Sequence, residues 1–225
     1  MRSVDFGDAF ALALAGRLVR AEAVVILPTE TLYGFSALAS SDAARQRIEA
    51  WKGIGAPRSF LALVADFDSM VPFLHPGQDR RGLGFLRRNW PGPLTAVLQV
   101  ERALGWGETV ESGATAAFRV PAHPRLRQLL ATIGAPIVST SVNRSGSPPL
   151  HNEVEIRAEF GAADDLWFFR DRGLETRAQG RGSSVVDLRS WPPRLLRAGA
   201  FDLDAALAAW VAHDDDEPPH HRRSG

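Results

Sequence analysis

"VVILPTETLYGFSALA", residues Val24 to Ala39, decides how this chain is read. The apolar run Val24-Val25-Ile26-Leu27 predicts a buried strand. Pro28 ends it, and Thr29, Glu30, Thr31 and Tyr33 follow before Gly34. Two threonines, a carboxylate and a phenol therefore stand together where a core strand stops. A threonine hydroxyl both donates and accepts, so it suits a small polar ligand carrying an amine or an alcohol. Thr29 and Thr31 would serve equally well as caps of a turn. Composition alone does not separate the two readings.

Working outward, helices and strands alternate. Residues 6–21 predict a helix and 23–27 a strand, and Ser41 or Asp42 caps a helix running to about Lys52. Ala44, Ile48 and Trp51 fall on one face of that helix, and Gly53 closes it. "SFLALVA" (59–65) is a strand, followed by a short helix near 68–74 and another over 79–89 that stops at "WPGPLT". Residues 95–100 and 115–120 are strands by their β-branched and apolar content. Residues 123–134 form a helix closed by Gly134, and "APIVSTS" is a buried strand. Beyond the loop "NRSGSPPL" come a helix at 152–160, strands near 165–170, 184–188 and 194–197, and a last helix in "FDLDAALAAWVAH". The pattern predicts one α/β domain over 1–212, and the charged, proline-containing composition of 213–225 predicts a disordered tail. Ligands of open α/β sheets gather where polar loops leave strand ends. Three such junctions stand out: Thr29–Tyr33, Ser139–Gly146 and Gly180–Ser184.

The 225 residues are 45% hydrophobic and 23% charged, the balance of a soluble protein with a sizeable core. Formal net charge is zero, so no global positive field calls for nucleic acid. Arginine clusters (Arg80, Arg81, Arg87, Arg88; then Arg170, Arg172, Arg177, Arg181) still permit a local RNA-binding face. With no cysteine, disulfides, thiolate metal sites and a cysteine nucleophile are excluded. The N-terminus reads as an amphipathic helix and not a signal peptide, and no run of apolar residues is long enough for a membrane span. A cytoplasmic enzyme or binding protein is the expectation.

The chain's one lysine is Lys52, in a sequence that otherwise writes its cations as arginine. A compact ammonium suits a phosphate or a reacting centre better than a guanidinium does. Arg119 lies near the end of an apolar strand in "FRVPAHP" and needs an acidic partner there: Glu30, or a ligand carboxylate. "PIVSTSVNRSGSPP" offers hydroxyls, Asn143 and a glycine-permitted backbone as a neutral cradle for phosphate or nucleotide, or simply a polar turn. The P-loop, His-Glu-x-x-His and Gly-x-Ser-x-Gly signatures are absent. His75, His123 and His151 show no metal spacing.

Together, "PTETLYG", Lys52 after a helix, "WPGPLT", "FRVPAHP", "STSVNRSG", "SSVVDL" and "LRAGA" resemble, in order, the YrdC-like family of threonylcarbamoyl-AMP synthases in its single-domain type. The resemblance implies a twisted mixed parallel and antiparallel sheet flanked by helices around a concave cleft. It implies an enzyme that makes threonylcarbamoyl-adenylate and pyrophosphate from L-threonine, bicarbonate or carbon dioxide, and ATP with magnesium. The product feeds a tRNA-modifying transferase complex downstream. Carried over, Thr31 would hold threonine, Arg119 its carboxylate, and Ser141 would help fix it. Lys52 would act on the ATP phosphates and the carboxylating centre; Thr115, Asn143, Ser183 and Arg197 would line the nucleotide site.

Departures sit on the ATP side. The family reads Lys-x-Arg-Pro where this chain has Lys52-Gly53-Ile54-Gly55, and Arg58 is the candidate to fill that gap. His151 stands where the family has a nucleotide-contacting threonine. The alternatives implied are a weakened paralogue that binds nucleotide or RNA without making the adenylate, and a carbamoyl-phosphate-using transferase. The second normally carries zinc-finger-like domains, against which the lack of cysteine argues.

Overall fold

The computed structural model describes residues 1–53, 60–101, 114–177 and 180–214. In chain order the strands are β1 (Arg2–Asp5), β2 (Val25–Pro28), β3 (Tyr33–Leu38), β4 (Leu61–Leu63), β5 (Leu94–Gln99), β6 (Thr115–Arg119), β7 (Ile137–Ser141), β8 (Trp167–Arg170), β9 (Ser184–Asp187) and β10 (Arg194–Arg197). The helices are α1 (Ala11–Arg20), α2 (Asp42–Lys52), α3 (Arg80–Asn89), α4 (Pro124–Ile133), α5 (Glu153–Phe160), α6 (Arg172–Arg177) and α7 (Leu203–Asp214).

The strands form one mixed sheet in the order β1-β8-β2-β3-β7-β4-β6-β5-β9-β10. β1, β8 and β2 run parallel, as do β4 with β6 and β5 with β9. β2–β3, β3–β7, β7–β4, β5–β6 and β9–β10 are antiparallel. This is the expected α/β class.

β2 explains the continuous apolar run. Val24 and Ile26 pack with Ile48 of α2 and Ile156 and Phe160 of α5; Val25 and Leu27 pack on the other side with Val19 of α1 and Leu126 and Leu130 of α4. A strand with helices on both faces cannot alternate. A third cluster, around Phe85, Leu98, Phe118 and Val186, lies under α3 and α7. Trp210 of α7 packs edge-on against Phe85 and at a tilt against Trp191, holding that helix to the sheet.

Helix ends follow the sequence signals. Ser41, not Asp42, caps α2, its hydroxyl accepting from Ala44 N at 3.2 Å, and Gly53 ends it in the left-handed conformation. His123 caps α4 with its ring, and Gly134 closes it.

Four differences are instructive. The expected helix over 6–21 is shorter: α1 begins at Ala11, and residues 2–5 form a strand paired in parallel with β8, a partner more than 160 residues away that no local pattern announces. Tyr33–Leu38 is a strand with no clear alternation in its sequence to announce it, so the polar cluster is the turn of a β2–β3 hairpin. Residues 172–177 form a short helix, also unanticipated. At the other end α7 continues through His213 and Asp214, past the expected boundary; the rest of the expected tail lies outside the described residues.

Candidate active site

The β2–β3 turn is built by Thr29. Its hydroxyl accepts from Thr31 N (3.1 Å) and Leu32 N (3.0 Å) and donates to Leu32 O (2.7 Å), so the turn-cap reading holds for Thr29. That cap points Thr31 inward, its Oγ1 lying 2.9 Å from Thr29 Oγ1. Arg119, at the end of β6, donates to Thr31 Oγ1 from Nη1 (3.2 Å) and Nη2 (3.1 Å) and to Gly92 O from Nε (3.2 Å). Its Nη2 also lies 2.6 Å from Glu30 Oε1. The partner question raised by the sequence thus has Glu30 as its answer in this structure. Arg119 is only 3% exposed, which makes the ion pair a buried one.

A cavity of about 500 Å³ opens on these groups, within the range of small-molecule sites. The sheet order gives it two ends: a hydroxylic one on the β3–β7 side, with Thr31, Ser139, Thr140 and Ser141, and another on the β5–β9–β10 side, with Thr95, Ser183 and Arg197; Arg119 and Arg181 also line it. Thr95 and Ser183 share a hydrogen bond between hydroxyls (2.8 Å), and Arg197 Nη2 donates to Ser183 O (3.0 Å). Burial, then the nearby positive charge of Arg119, lowers the Arg197 guanidinium from its usual value. Two guanidiniums that feel each other across one cleft favour an anion between them.

Lys52 and Asn143 support the wall from behind. Lys52 Nζ donates to Ser141 O (2.7 Å), Asn143 O (3.1 Å) and Asn143 Oδ1 (2.8 Å). Asn143 Oδ1 also accepts from Ser141 Oγ at 2.7 Å, while its amide donates to Arg144 O and Ser147 O. Ser145 N returns a bond to Lys52 O (2.7 Å), locking the end of α2 to the 141–147 loop.

Of the residues singled out from sequence, Thr31, Arg119, Ser141, Ser183 and Arg197 line one cavity. Lys52 and Asn143 reach it through Ser141. Thr115 lies on β6 two pleats from Arg119, on the same face as Ala117 and Arg119, and is exposed. Arg58 and Ile54 lie outside the described residues. The sequence gives no individual role to Thr95, Ser139 or Arg181, although Ser139 and Arg181 lie in two of the polar junctions it marks and Thr95 ends "WPGPLT".

Another brace came unannounced. Tyr33 Oη donates to Asp171 O (3.0 Å) and accepts from Asp171 N (2.8 Å). Burial raises its phenol well above the usual range, keeping it neutral. His123 Nδ1 accepts from Leu126 N, so Nε2 carries the proton and donates to Asp171 Oδ2 at 2.8 Å. Burial pushes the Asp171 carboxyl upward, but the His123 bond and the N–H groups of Gly173 and Leu174 outweigh it and hold the group below its ordinary value.

The fold and this pocket define a class. The Sua5/YciO/YrdC family model, described as "Telomere recombination", matches residues 17–199, and the chain belongs to that family. It is 35% identical over 189 residues to the threonylcarbamoyl-AMP synthase of Chromohalobacter salexigens, covering 83% of this chain and 96% of that protein. Against the Pyrococcus abyssi threonylcarbamoyl-AMP synthase it is 31% identical over 86% of its length, but spans only 55% of that longer relative. The crystal structure of P. abyssi Sua5 complexed with L-threonine superposes with a TM-score of 0.76 at 30% identity, over 91% of this chain and 58% of that one. Escherichia coli YciO matches at 0.75 with 22% identity, over 90% of this chain and 95% of that one, a likeness of fold. Among the described residues no helix is long and apolar enough to cross a membrane.

Proposed function

We propose that the chain is an L-threonylcarbamoyladenylate synthase, a nucleotidyltransferase that joins L-threonine, carbon dioxide and ATP. The observation that carries this reading is the meeting of Thr31, Arg119 and Ser141 with Ser183 and Arg197 around one cavity. The hydroxylic end suits a small hydroxy-amino acid, whose hydroxyl and ammonium both find oxygen partners there. Arg119 is the cation for its carboxylate. The basic end suits the phosphates of ATP, with Thr115 farther along β6 for the nucleoside.

The chemistry asks little covalent participation of the protein. The threonine amine, having lost a proton, attacks carbon dioxide to give a carbamate. A carbamate oxygen then attacks the α-phosphorus, and pyrophosphate leaves. Holding three reactants in line supplies the main acceleration. Arg197 and Arg181 counter the charge growing on the phosphates. Lys52 acts on the phosphates and the carboxylating centre, from a position braced on Ser141 and Asn143. Magnesium arrives with ATP as its counter-ion. The adenylate then serves a transferase complex that modifies tRNA, in the cytoplasm.

Threonine-dependent pyrophosphate release by the purified full chain, with ATP, magnesium and bicarbonate, tests this. Release without need of threonine, or none at all, would refute it. The competing reading is a paralogue that binds nucleotide or RNA without turnover. It is favoured by Lys52 Nζ being directed at backbone and amide oxygens, and by Ile54 in place of an arginine. L-threonine binding without any pyrophosphate would select it.

A further inference from the structure

Arg119 has five N–H donors, and nearly all of them are engaged. Its end-on edge, Nη1 with Nη2, is taken by Thr31 Oγ1. Its side-on edge, Nε with Nη2, is taken by Gly92 O and the Glu30 carboxylate. Among the described residues one Nη1 hydrogen is left over. A ligand carboxylate can therefore gain a two-point grip on Arg119 only if one of its present partners withdraws.

The three partners are not equally held. Gly92 is main chain, anchored by its own N–H to Val120 O at 2.9 Å. Thr31 Oγ1 accepts two guanidinium bonds, so its proton goes to Thr29 Oγ1, and that hydroxyl is the knot of the turn. Glu30 is different. Its Oε1 lies close to Nη2, yet neither of its two buried carboxylate oxygens accepts a well-formed hydrogen bond. A buried carboxylate with an ion pair and no hydrogen bonds is incompletely compensated. Its side chain also turns about three torsions, so it can leave without disturbing the backbone.

We infer that Glu30 is the resident counter-ion of Arg119, standing in for the ligand's carboxylate, and that an amino-acid ligand binds by exchanging its carboxylate for that of Glu30. The exchange makes Glu30 a specificity-determining residue. Only a ligand bringing its own anion can compensate Arg119 once Glu30 has moved, so amino acids are accepted and their uncharged-carboxyl analogues are refused. This rests on the reading of the hydroxylic end as an amino-acid site.

Calorimetry on the full chain with two probes, L-threonine and L-threoninamide, tests it. The amide keeps the ammonium and hydroxyl and lacks the anion. Glu30→Gln removes the competing charge at constant shape. It should tighten L-threonine by about threefold or more, as expected when a close competing charge is removed, and bring no gain for L-threoninamide. Glu30→Asp, one methylene shorter, should move L-threonine the same way by less, and it supplies the answer should the glutamine variant not fold. Weaker or unchanged L-threonine binding in a folded variant, or equal tightening of both probes, overturns the exchange while leaving the amino-acid site in place. Absence of L-threonine binding to the unaltered chain overturns the site reading itself, and the exchange with it.

Discussion

Lys52 and Asn143 are joined twice, the ammonium of one donating to both the backbone oxygen (3.1 Å) and the side-chain oxygen (2.8 Å) of the other. With the bond to Ser141 O, this ties the end of α2 to the end of β7 just behind the cavity. Buried acceptors that lose their donor cost about 1–3 kcal/mol each. Lys52→Ala should therefore lower the unfolding free energy in urea by about 2–4 kcal/mol, besides abolishing turnover. An unchanged midpoint would show that Lys52 does not brace the loop.

Arg119→Lys keeps the charge but cannot serve Thr31, Gly92 and a ligand together, because an ammonium lacks the planar fork. L-threonine affinity should fall about 10- to 100-fold, the loss of one or two charge-assisted hydrogen bonds. ATP affinity should change little. Titration of each ligand separately decides it; equal losses for both would place Arg119 between the two ends of the cavity instead.

Gly180 passes against the β2–β3 turn so closely that an added Cβ would lie 2.6 Å from Thr31 O. Backbone oxygen cannot yield as a side chain can. Gly180→Ala should push the turn away from Arg119 and raise the L-threonine dissociation constant at least about tenfold, with a smaller effect on thermal stability. Retained affinity would mean that the 180–184 segment moves instead of the turn.

The Asp171 carboxyl titrates below its usual range in the folded protein. Its stabilisation is thus fully present above the unfolded value of about 3.9 and is lost as pH falls through the lower folded value. Asp171→Asn should be less stable than the unaltered protein at pH 7, and the gap should close on acidification below about pH 4. A gap independent of pH would show that the His123 contact does not depend on charge.

What could be read from sequence was what local chemistry dictates. The cap at Ser41, the stops at Gly53 and Gly134 and the doubly buried β2 each follow from a few neighbouring residues. Thr31, Arg119, Ser141, Ser183 and Arg197, which line the cavity, were singled out by the family resemblance, whereas their polarity near strand ends alone left a simple turn equally open. What escaped depends on distant partners. β1 exists because β8 lies beside it, and Asp171 matters because Tyr33 and His123 converge on it from other elements. β3 was hidden by composition: Gly34 and Ser36 interrupt an apolar pattern, and the strand is secured by β2 and β7 on either side. The ion pair of Glu30 with Arg119 was foreseen as one of two options, and it takes the fold to bring the two side chains within reach of each other.

The most direct test of the synthase reading is mass spectrometry of the nucleotide products formed by the full chain from ATP, magnesium, L-threonine and carbon-13 bicarbonate. The account predicts a threonine-containing adenylate heavier by one mass unit than that formed from unlabelled bicarbonate, released with pyrophosphate. ATP consumed without a labelled adenylate, or not consumed at all while L-threonine binds, would contradict it.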